Sequence, residues 1–469
     1  MSAPNSSAKF LSGNLFTHVS IMSLTASVGL MAVFLVDFID MIFIAMLGKA
    51  ELAAAVGYAG AILFFTTSFG IGMAIAAGAL VARALGTGDV ALAQSRATTA
   101  LTYGFGFGAI FAATVWAFLE PLARLVGASG ETLDLAVHYL AIIVPSLPFL
   151  MLGMMGGAIL RAHGDARRAM MATIWGGVVN AVLDPILIFG FELELTGAAL
   201  ASVAARLTIA YFALRPILRH YGGFTLPPIL SFLADLRPIL AIAVPAILTQ
   251  LATPVGQAWV TRSMAAYGEE AVAGMAIVGR LTPVAFGVIF ALSGAIGPII
   301  GQNFGAQNHA RVRPAFLDGV LFGGLFVISM TVLLYLLRPF IAGLFSAQGV
   351  TLTLVYLFCG PLALVFFFNG LLFVSNAAFN NLGQPFTSTW LNWGRHTLGT
   401  VPLVALGGWM FGAPGVLIGQ AVGGLIFGLL AAWMALRVIT RGGDGGEAAA
   451  PRAPFARQAR LMSLLHLRR

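Results

Sequence analysis

Long apolar runs separated by short polar breaks extend from residue 17 to residue 436 of this chain. Each run reaches the length of about 20 residues that a helix needs to cross the hydrocarbon core of a bilayer. The pattern predicts twelve membrane helices, over residues 17–46, 52–84, 97–119, 134–159, 169–190, 197–218, 238–265, 272–303, 316–337, 352–377, 387–411 and 414–436. The predicted fold class is an all-α integral membrane protein.

The composition agrees with this prediction. Hydrophobic residues make up 59% of the chain and charged residues 9%, whereas soluble domains carry about 25% charged residues. The 56 glycines suit helices that pack closely in a bilayer. The single cysteine, Cys359, lies in an apolar run and provides neither a disulfide framework nor a cysteine metal site. The first apolar run is far longer than the apolar core of a signal peptide.

The placement of lysine and arginine predicts the orientation in the membrane. With the N-terminus inside, 18 basic residues fall on cytoplasmic segments and 4 on outer segments. We therefore expect a multi-pass protein of the inner cell membrane with both termini in the cytoplasm. The net charge of +8 reflects this asymmetry and a basic tail beside anionic lipids, so we expect no nucleic-acid partner.

The two halves of the chain resemble each other. The segment "GALVARALGTGD" (78–89) recurs in outline as "GPIIGQNFGAQN" (297–308). One and the same difference in residue number, which we call the repeat offset, separates Gly78 from Gly297, Gly86 from Gly305, and Gly164 from Gly383. Equal spacings indicate a duplication. Because each half has six helices, the repeats share one orientation, as in transporters whose halves rock around a central site.

This repeat predicts the domain organisation. Two six-helix bundles form a V around a central cavity. The expected order is a cytoplasmic N-terminal segment (1–16), the N-terminal bundle (17–218), a cytoplasmic linker (219–237), the C-terminal bundle (238–436) and a disordered basic tail (437–469).

Three acidic residues, Asp37, Asp40 and Asp184, lie well inside predicted helices. Each costs about 2.5–3.5 kcal/mol at a helix centre, so an intramembrane acid indicates a functional site. Asp37 and Asp40 share one helix face by their spacing of three, and Asn180 and Asp184 share another by their spacing of four. Pro185 leaves a carbonyl one turn earlier without its helical donor.

Carboxylate, amide and carbonyl oxygens together predict a site for Na⁺ or a proton. The alternative is that Asn180 and Asp184 only form hydrogen bonds between helices. The positions that follow Asp37, Asp40, Asn180 and Asp184 by one repeat offset hold no acid. We therefore expect cation chemistry in the first half alone.

Several segments resemble the multidrug and toxic compound extrusion family, and the resemblance covers nearly the whole chain. They include "VDFIDMIFIAMLGKAELAAAVGYAGAI", "VVNAVLDPILIFGFELELTGAALASVAA" and "VGRLTPVAFGVIFALSGAIGPIIGQNFGAQN". The resemblance implies two six-helix bundles and efflux of organic compounds against entry of Na⁺ or H⁺. It places the coupling cation at Asp40, Asn180 and Asp184, with Tyr139 and Ser202 as supporting oxygens.

Asp37 matches no family position. We expect it either to relay protons with Asp40, because two nearby carboxylates disfavour joint ionisation, or to be structural. One branch of the family keeps acids in helices seven and ten, where this chain has Gln250, Gln257 and Asn369. The chain therefore resembles the branch whose cation site is confined to the first half.

Further side chains are candidates for the substrate cavity. Thioethers and aromatic faces suit varied lipophilic cations, although plain helix packing is the alternative for each methionine and phenylalanine. For Arg280 the alternative is that it satisfies backbone carbonyls beside Pro283, and for Arg395 that it belongs to a structural hydrogen-bond cluster. The candidates are Met151, Met154, Met155, Gln250, Gln257, Arg280, Phe367, Asn369 and Arg395. Arg206 is expected to extend toward the inner membrane surface.

The sequence thus predicts a monomeric efflux transporter that exchanges organic, often cationic and lipophilic, compounds for H⁺ or Na⁺ by alternating access. It predicts no cofactor and, with Na⁺, a metal site at Asp40, Asn180 and Asp184. A flippase for lipid-linked precursors is the nearest alternative, but it needs several cavity cations to hold a pyrophosphate. An intramembrane enzyme is less favoured, because no "DDxxD" or "HExxH" motif occurs.

Overall fold

The computed structural model describes residues 8–225 and 229–443. The N-terminal half contains eight helices, α1 (Leu15–Met46), α2 (Ala50–Gly86), α3 (Val90–Ala117), α4 (Leu119–Leu125), α5 (Gly130–Ile143), α6 (Leu147–Ala162), α7 (Ala166–Pro185) and α8 (Glu194–His220). The C-terminal half contains seven, α9 (Ile229–Ala265), α10 (Glu269–Gly305), α11 (His309–Leu344), α12 (Gly349–Leu357), α13 (Ala363–Asn381), α14 (Pro385–Gly394) and α15 (Val401–Gly443).

These helices make twelve membrane crossings within the described ranges. The pair α5–α6 forms one crossing, interrupted by a 3₁₀ turn at Val144–Ser146, and α12–α13 forms another, interrupted by a π turn at Phe358–Leu362. A proline lies in each turn and removes a helical donor there. The short α4 lies between two crossings and is not predicted separately by the sequence.

The last continuous helical stretch, residues 385–441, is too long for one crossing. Gly412 breaks it with φ 66° and ψ −146°, a conformation that favours glycine. A Cβ on Gly407 would meet the carbonyl of Gly415, and one on Gly423 would meet the carbonyl of Gly399. The two residue numbers of each pair add up to the same value. This is the pattern expected for two helical segments that run antiparallel to each other. The two predicted helices 387–411 and 414–436 are therefore a tightly packed hairpin.

The two bundles meet through reciprocal glycine contacts. A Cβ on Gly86 would overlap the carbonyl oxygen of Gln302, and a Cβ on Gly305 would overlap that of Arg83. The repeat offset relates Gly86 to Gly305 and Arg83 to Gln302, so the contact is repeated about a pseudo-twofold axis. Only glycine permits the α2 and α10 backbones to approach this closely.

The contact between the bundles continues to about the middle of the helices, where a Cβ on Gly287 would lie 2.8 Å from the sulfur of Met31. Nearer the opposite face of the membrane, Asp37 and Arg280 are exposed. The V is therefore closed on the face where α2 and α10 end and open on the other.

The N-terminal segment Lys9–Leu11 is wedged into the closed end. Phe10 is only 1% exposed. Its backbone N–H donates to Oε1 of Gln302 at 2.8 Å, and its carbonyl accepts from Asn303 at 3.2 Å. Lys9 donates to the carbonyl of Gly164 at 3.2 Å. Lys9–Leu11, within the predicted N-terminal segment 1–16, therefore contacts both bundles.

Many helices extend beyond their predicted bounds, and two of them do so by several residues across a predicted domain boundary. Helix α9 begins at Ile229, inside the predicted linker, because Asp235 forms an ion pair with Arg96 and the carbonyl of Phe232 accepts from Tyr103 on α3. Helix α15 continues to Gly443, past the predicted start of the tail at residue 437. The remainder of the predicted tail, 444–469, lies outside the described residues.

Candidate cation site

The polar pair on α7 lies where that helix ends. Asn180 and Asp184 are one turn apart and both are buried. Pro185 is the last residue of α7, and a π turn at Ile186–Gly190 follows it. Such turns interrupt the regular helical hydrogen bonds and are frequent at functional sites. The break predicted from the Asp-Pro sequence is therefore present, directly beside the buried carboxylate.

The structure brings α7 and α1 together at this point. With its amide nitrogen turned toward α1, Asn180 lies 3.2 Å from Oδ2 and 3.3 Å from Oδ1 of Asp40. The carboxylate of Asp40 therefore accepts from a buried amide contributed by a helix far away in the sequence. This contact fixes the position of Asp40 against α7.

Asp184 is 0% exposed, and neither of its oxygens has a hydrogen-bond donor among the described residues. Its side chain lies within hydrogen-bonding reach of Asp40. Two carboxyl groups form a hydrogen bond only when one of them carries a proton. A buried carboxylate without a donor costs several kcal/mol, so this pair needs a proton or a bound cation.

Tyr139 and Ser202 extend the site on the side of α5 and α8. Tyr139 is buried, lies close to Ser202 and has Arg206, Asp40 and Asp184 as its charged neighbours. The hydroxyl of Tyr139 thus lies near the two acids, with Ser202 beside it.

Contrary to the expectation from the sequence, Arg206 does not extend to the membrane surface. Its guanidinium donates to the carbonyl of Ile143 at 3.1 Å and to the hydroxyl of Ser146 at 3.0 Å. The 3₁₀ turn between α5 and α6 leaves these acceptors available inside the bundle, so the guanidinium group of Arg206 is held there. Sequence analysis did not identify Ser146, although Pro145 marks the turn.

Asp37 lies apart from the buried acids. It is exposed, whereas Asp40 is half-buried and Asp184 is fully enclosed. The three acids therefore increase in burial from Asp37 to Asp184, and along α1 Asp37 lies one turn nearer the closed end than Asp40.

The equivalent positions of the C-terminal bundle serve helix packing. Gly256 packs on the imidazole of His396, Gly399 packs on Phe427, and the carbonyl of Leu403 contacts Gly419. Trp259, the equivalent of Asp40, is partly exposed. None of these four positions carries a carboxylate.

The predicted cavity residues have different environments. Met151 and Met155 are buried against the α3 glycines Gly108 and Gly104, so in this conformation they pack inside the N-terminal bundle. Met154 is half-buried beside Gly70 on α2.

In the C-terminal bundle Phe367 packs on Gly324 of α11. Gln250 is half-buried, and Gln257 accepts a hydrogen bond from Gln420 at 3.4 Å. Gln420 is a polar residue in the middle of α15 that sequence analysis did not select.

Arg395 begins a π turn and approaches Asn369, because both side chains lie near Gly424. Arg395 is half-buried and forms no ion pair with a described residue. The side-chain oxygen of Asn369 is buried and has no donor in the described part of the chain. The structure therefore places one basic and one amide side chain together inside the C-terminal bundle.

Two parallel six-helix repeats, closed at one end and carrying paired acids inside one bundle, define a secondary transporter. The chain belongs to the MatE family, whose model matches it twice, at residues 26–186 and 245–404. The second match begins one repeat offset after the first, in agreement with the glycine pairs. Three predictions are confirmed: the family, the all-α membrane fold class, and the classification of the protein as a transporter and not an enzyme.

Relatives and solved structures resemble the chain over most of its length. A FAD transporter of Shewanella oneidensis is 29% identical over 430 residues, covering 89% of this chain and 93% of that protein. The multidrug export protein MepA of Staphylococcus haemolyticus is 27% identical over 331 residues, covering 69% and 72%. The crystal structure of a mutant of the Vibrio cholerae MATE transporter VcmN superposes with a TM-score of 0.85 at 24% identity, covering 92% and 98%.

Proposed function

We propose that this protein exports small organic compounds across the inner membrane in exchange for H⁺ or Na⁺ bound between Asp40, Asn180 and Asp184. The main support is the complete burial of Asp184 without a donor among the described residues, next to a second carboxyl group. A bound proton or Na⁺ supplies the missing positive charge. The export relatives agree with this proposal.

The geometry suggests how the ion and the substrate alternate. The V opens on the face opposite the termini, which the basic residues assign to the outside. An ion entering there reaches the cavity where Asp37 is exposed, and binds between half-buried Asp40 and buried Asp184. Filling the site removes the cost of two charged acids in apolar surroundings. The loaded N-terminal bundle is then free to repack and release substrate outward.

Purified protein in liposomes tests this proposal. A fluorescent cationic dye is loaded and its transport is followed under a proton gradient alone and under a Na⁺ gradient alone. We expect transport under one of the gradients and none after both are collapsed by ionophores. Equal rates with and without each gradient would contradict ion coupling.

Arg395 favours a second candidate function, the export of organic anions. The cation lies inside the C-terminal bundle without a carboxylate partner in the described part of the chain, and a buried charge needs a counter-ion. The relative from Shewanella oneidensis is named as a transporter of FAD, which carries phosphate groups. A flippase would need more cavity cations, and Arg206 is already held by Ser146.

Arg395→Gln distinguishes the two substrate classes. For anion export, the variant should lose transport of FAD and keep transport of the cationic dye. Unchanged FAD transport, or equal loss of both substrates, would exclude Arg395 as the anion contact. Arg313→Gln, at an exposed position of α11, is the matched control.

A further inference from the structure

A concave pocket lies between the beginning of α7 and the end of α8, outside the cation site. Its volume is about 220 Å³. Trp175, Phe212 and Pro216 form its apolar wall. The rings of Trp175 and Phe212 stack with centroids 5.9 Å apart and an interplanar angle of 19°. Trp175 is exposed although its partner is half-buried, so a flat apolar surface is open toward the lipid.

The rim of this pocket is basic. Arg168, Arg215 and Arg219 line it, together with His220. Arg168 is paired with Asp165, but neither Arg215 nor Arg219 forms an ion pair with a described residue. Arg215 lies over the ring of Tyr211 at 5.7 Å, which orients it without neutralising it. Two guanidinium groups are therefore available for an anionic ligand.

We propose that this pocket binds the phosphate headgroup of an anionic phospholipid, with an acyl chain lying on Trp175 and Phe212. The beginning of α7 and the end of α8 are at the membrane face that carries the termini, so the rim is at headgroup depth. Guanidinium groups pair readily with phosphate, and basic pockets between membrane helices are suited to such headgroups. The apolar wall favours a lipid over free phosphate, because only the lipid has an acyl chain that can pack on it.

The internal repeat provides a comparison within the molecule. If basic residues were in general excess on this membrane face, the equivalent positions of both bundles would carry them. However, the positions that follow Arg168, Arg215 and Arg219 by one repeat offset hold Thr387, Met434 and Val438. Those equivalent to Trp175 and Phe212 hold Gly394 and Ala431. The guanidinium groups and aromatic rings of this pocket are therefore not repeated at these five positions of the C-terminal bundle.

Tryptophan quenching in nanodiscs tests the site. The probes are phosphatidylglycerol and phosphatidylcholine with brominated acyl chains, each diluted into unbrominated phosphatidylcholine. The Trp175 signal is the difference between the full chain and Trp175→Phe. We expect quenching by brominated phosphatidylglycerol to be at least threefold stronger than by brominated phosphatidylcholine. Equal quenching by the two lipids would overturn the proposal.

Charge variants identify the binding groups. The double variant Arg215→Gln and Arg219→Gln should reduce phosphatidylglycerol quenching to the phosphatidylcholine level. Arg437→Gln is the matched control, because Arg437 lies 3.8 Å over the ring of Trp433 and does not line this pocket. An equal loss in both variants would mean a general surface effect and would overturn the site.

Inorganic phosphate distinguishes the two sources of the anion. Because the acyl chain contributes to binding, an excess of phosphate should leave the Trp175 signal unchanged when ionic strength is held constant. Full displacement would assign the pocket to free phosphate and overturn the lipid proposal. The thermal melting of each variant in detergent verifies that it is folded.

Discussion

Arg83 and Gln302 occupy equivalent positions of the two repeats and donate to equivalent carbonyls across the interface. Arg83 Nε donates to the carbonyl of Asn381 at 2.9 Å, and Gln302 Nε2 donates to that of Ala162 at 2.7 Å. The repeat offset relates these two acceptors as it relates the two donors. The closed end of the V is therefore held by one interaction made twice, with a charged donor on one side and a neutral donor on the other.

The first prediction concerns the glycines beside these donors. Gly305→Ala should open the closed end, because the new Cβ would overlap the backbone oxygen of Arg83. Ala91 and Ala310 are exposed equivalents on α3 and α11, where spin labels report the separation of the bundles. With Cys359 replaced by alanine, we expect a longer or broader distance distribution between labels at these sites. Gly106→Ala, where a Cβ meets nothing within 4 Å, should leave the distribution unchanged.

The second prediction concerns the N-terminal wedge. Phe10→Ala should weaken the closed end, since burying a phenylalanine of this kind contributes about 3–5 kcal/mol. A lower melting temperature is expected, together with a longer distance between the labels at positions 91 and 310. Phe386 is exposed, so Phe386→Ala serves as the control. If Phe10→Ala left both quantities at the values of the unmodified chain, the wedge would have no role in closure.

The third prediction concerns the acids. Asp40→Asn and Asp184→Asn should each abolish gradient-driven efflux while the protein remains folded, because neither variant keeps two carboxyl groups to hold the ion. Asn180→Ala should weaken ion affinity by about tenfold or more. The reason is that it removes one hydrogen bond to a charged group, which contributes about 1.5–3 kcal/mol. Efflux from liposomes at matched protein content is the measurement. Asp134→Asn, at an exposed position of α5, should behave as the unmodified protein does.

The fourth prediction separates the two roles considered for Asp37. This acid is exposed, so Asp37→Asn should retain gradient-driven efflux, with a smaller loss than Asp40→Asn. If Asp37 relays protons, the variant will also change the pH profile of efflux. A profile that overlays that of the unmodified chain would leave Asp37 with a structural role.

The fifth prediction concerns Asp165, in the loop before α7. Although burial raises the pKa of this carboxyl, hydrogen bonds from Tyr221 at 2.7 Å and from Arg168 lower it below its ordinary value. The charged form therefore stabilises the fold above the unfolded pKa of 3.8, and this contribution is lost as pH falls through the folded pKa. Asp165→Asn should melt lower than the unmodified chain at pH 7, and the difference should shrink below about pH 4. A difference independent of pH would contradict the ionic role.

The sequence alone determined the crossings, the repeat and the position of the acids along the chain. Each of these depends on local or periodic information. A membrane helix shows its length in its own apolar run, and the repeat offset is visible in three glycine pairs. Asp40 and Asp184 stand out because a carboxylate in an apolar helix is costly wherever that helix packs.

Only the tertiary structure decided which distant residues meet. It brought Asn180 to Asp40, gave Arg206 a partner at Ser146, and wedged Phe10 between the bundles. It also closed the V on the face where Gly86 and Gly305 lie. These contacts join positions far apart in the chain, and they depend on helix rotation and depth, which hydropathy does not encode. The relative positions of packed helices are set by the fit of their surfaces, and that fit exists only once the chain has folded.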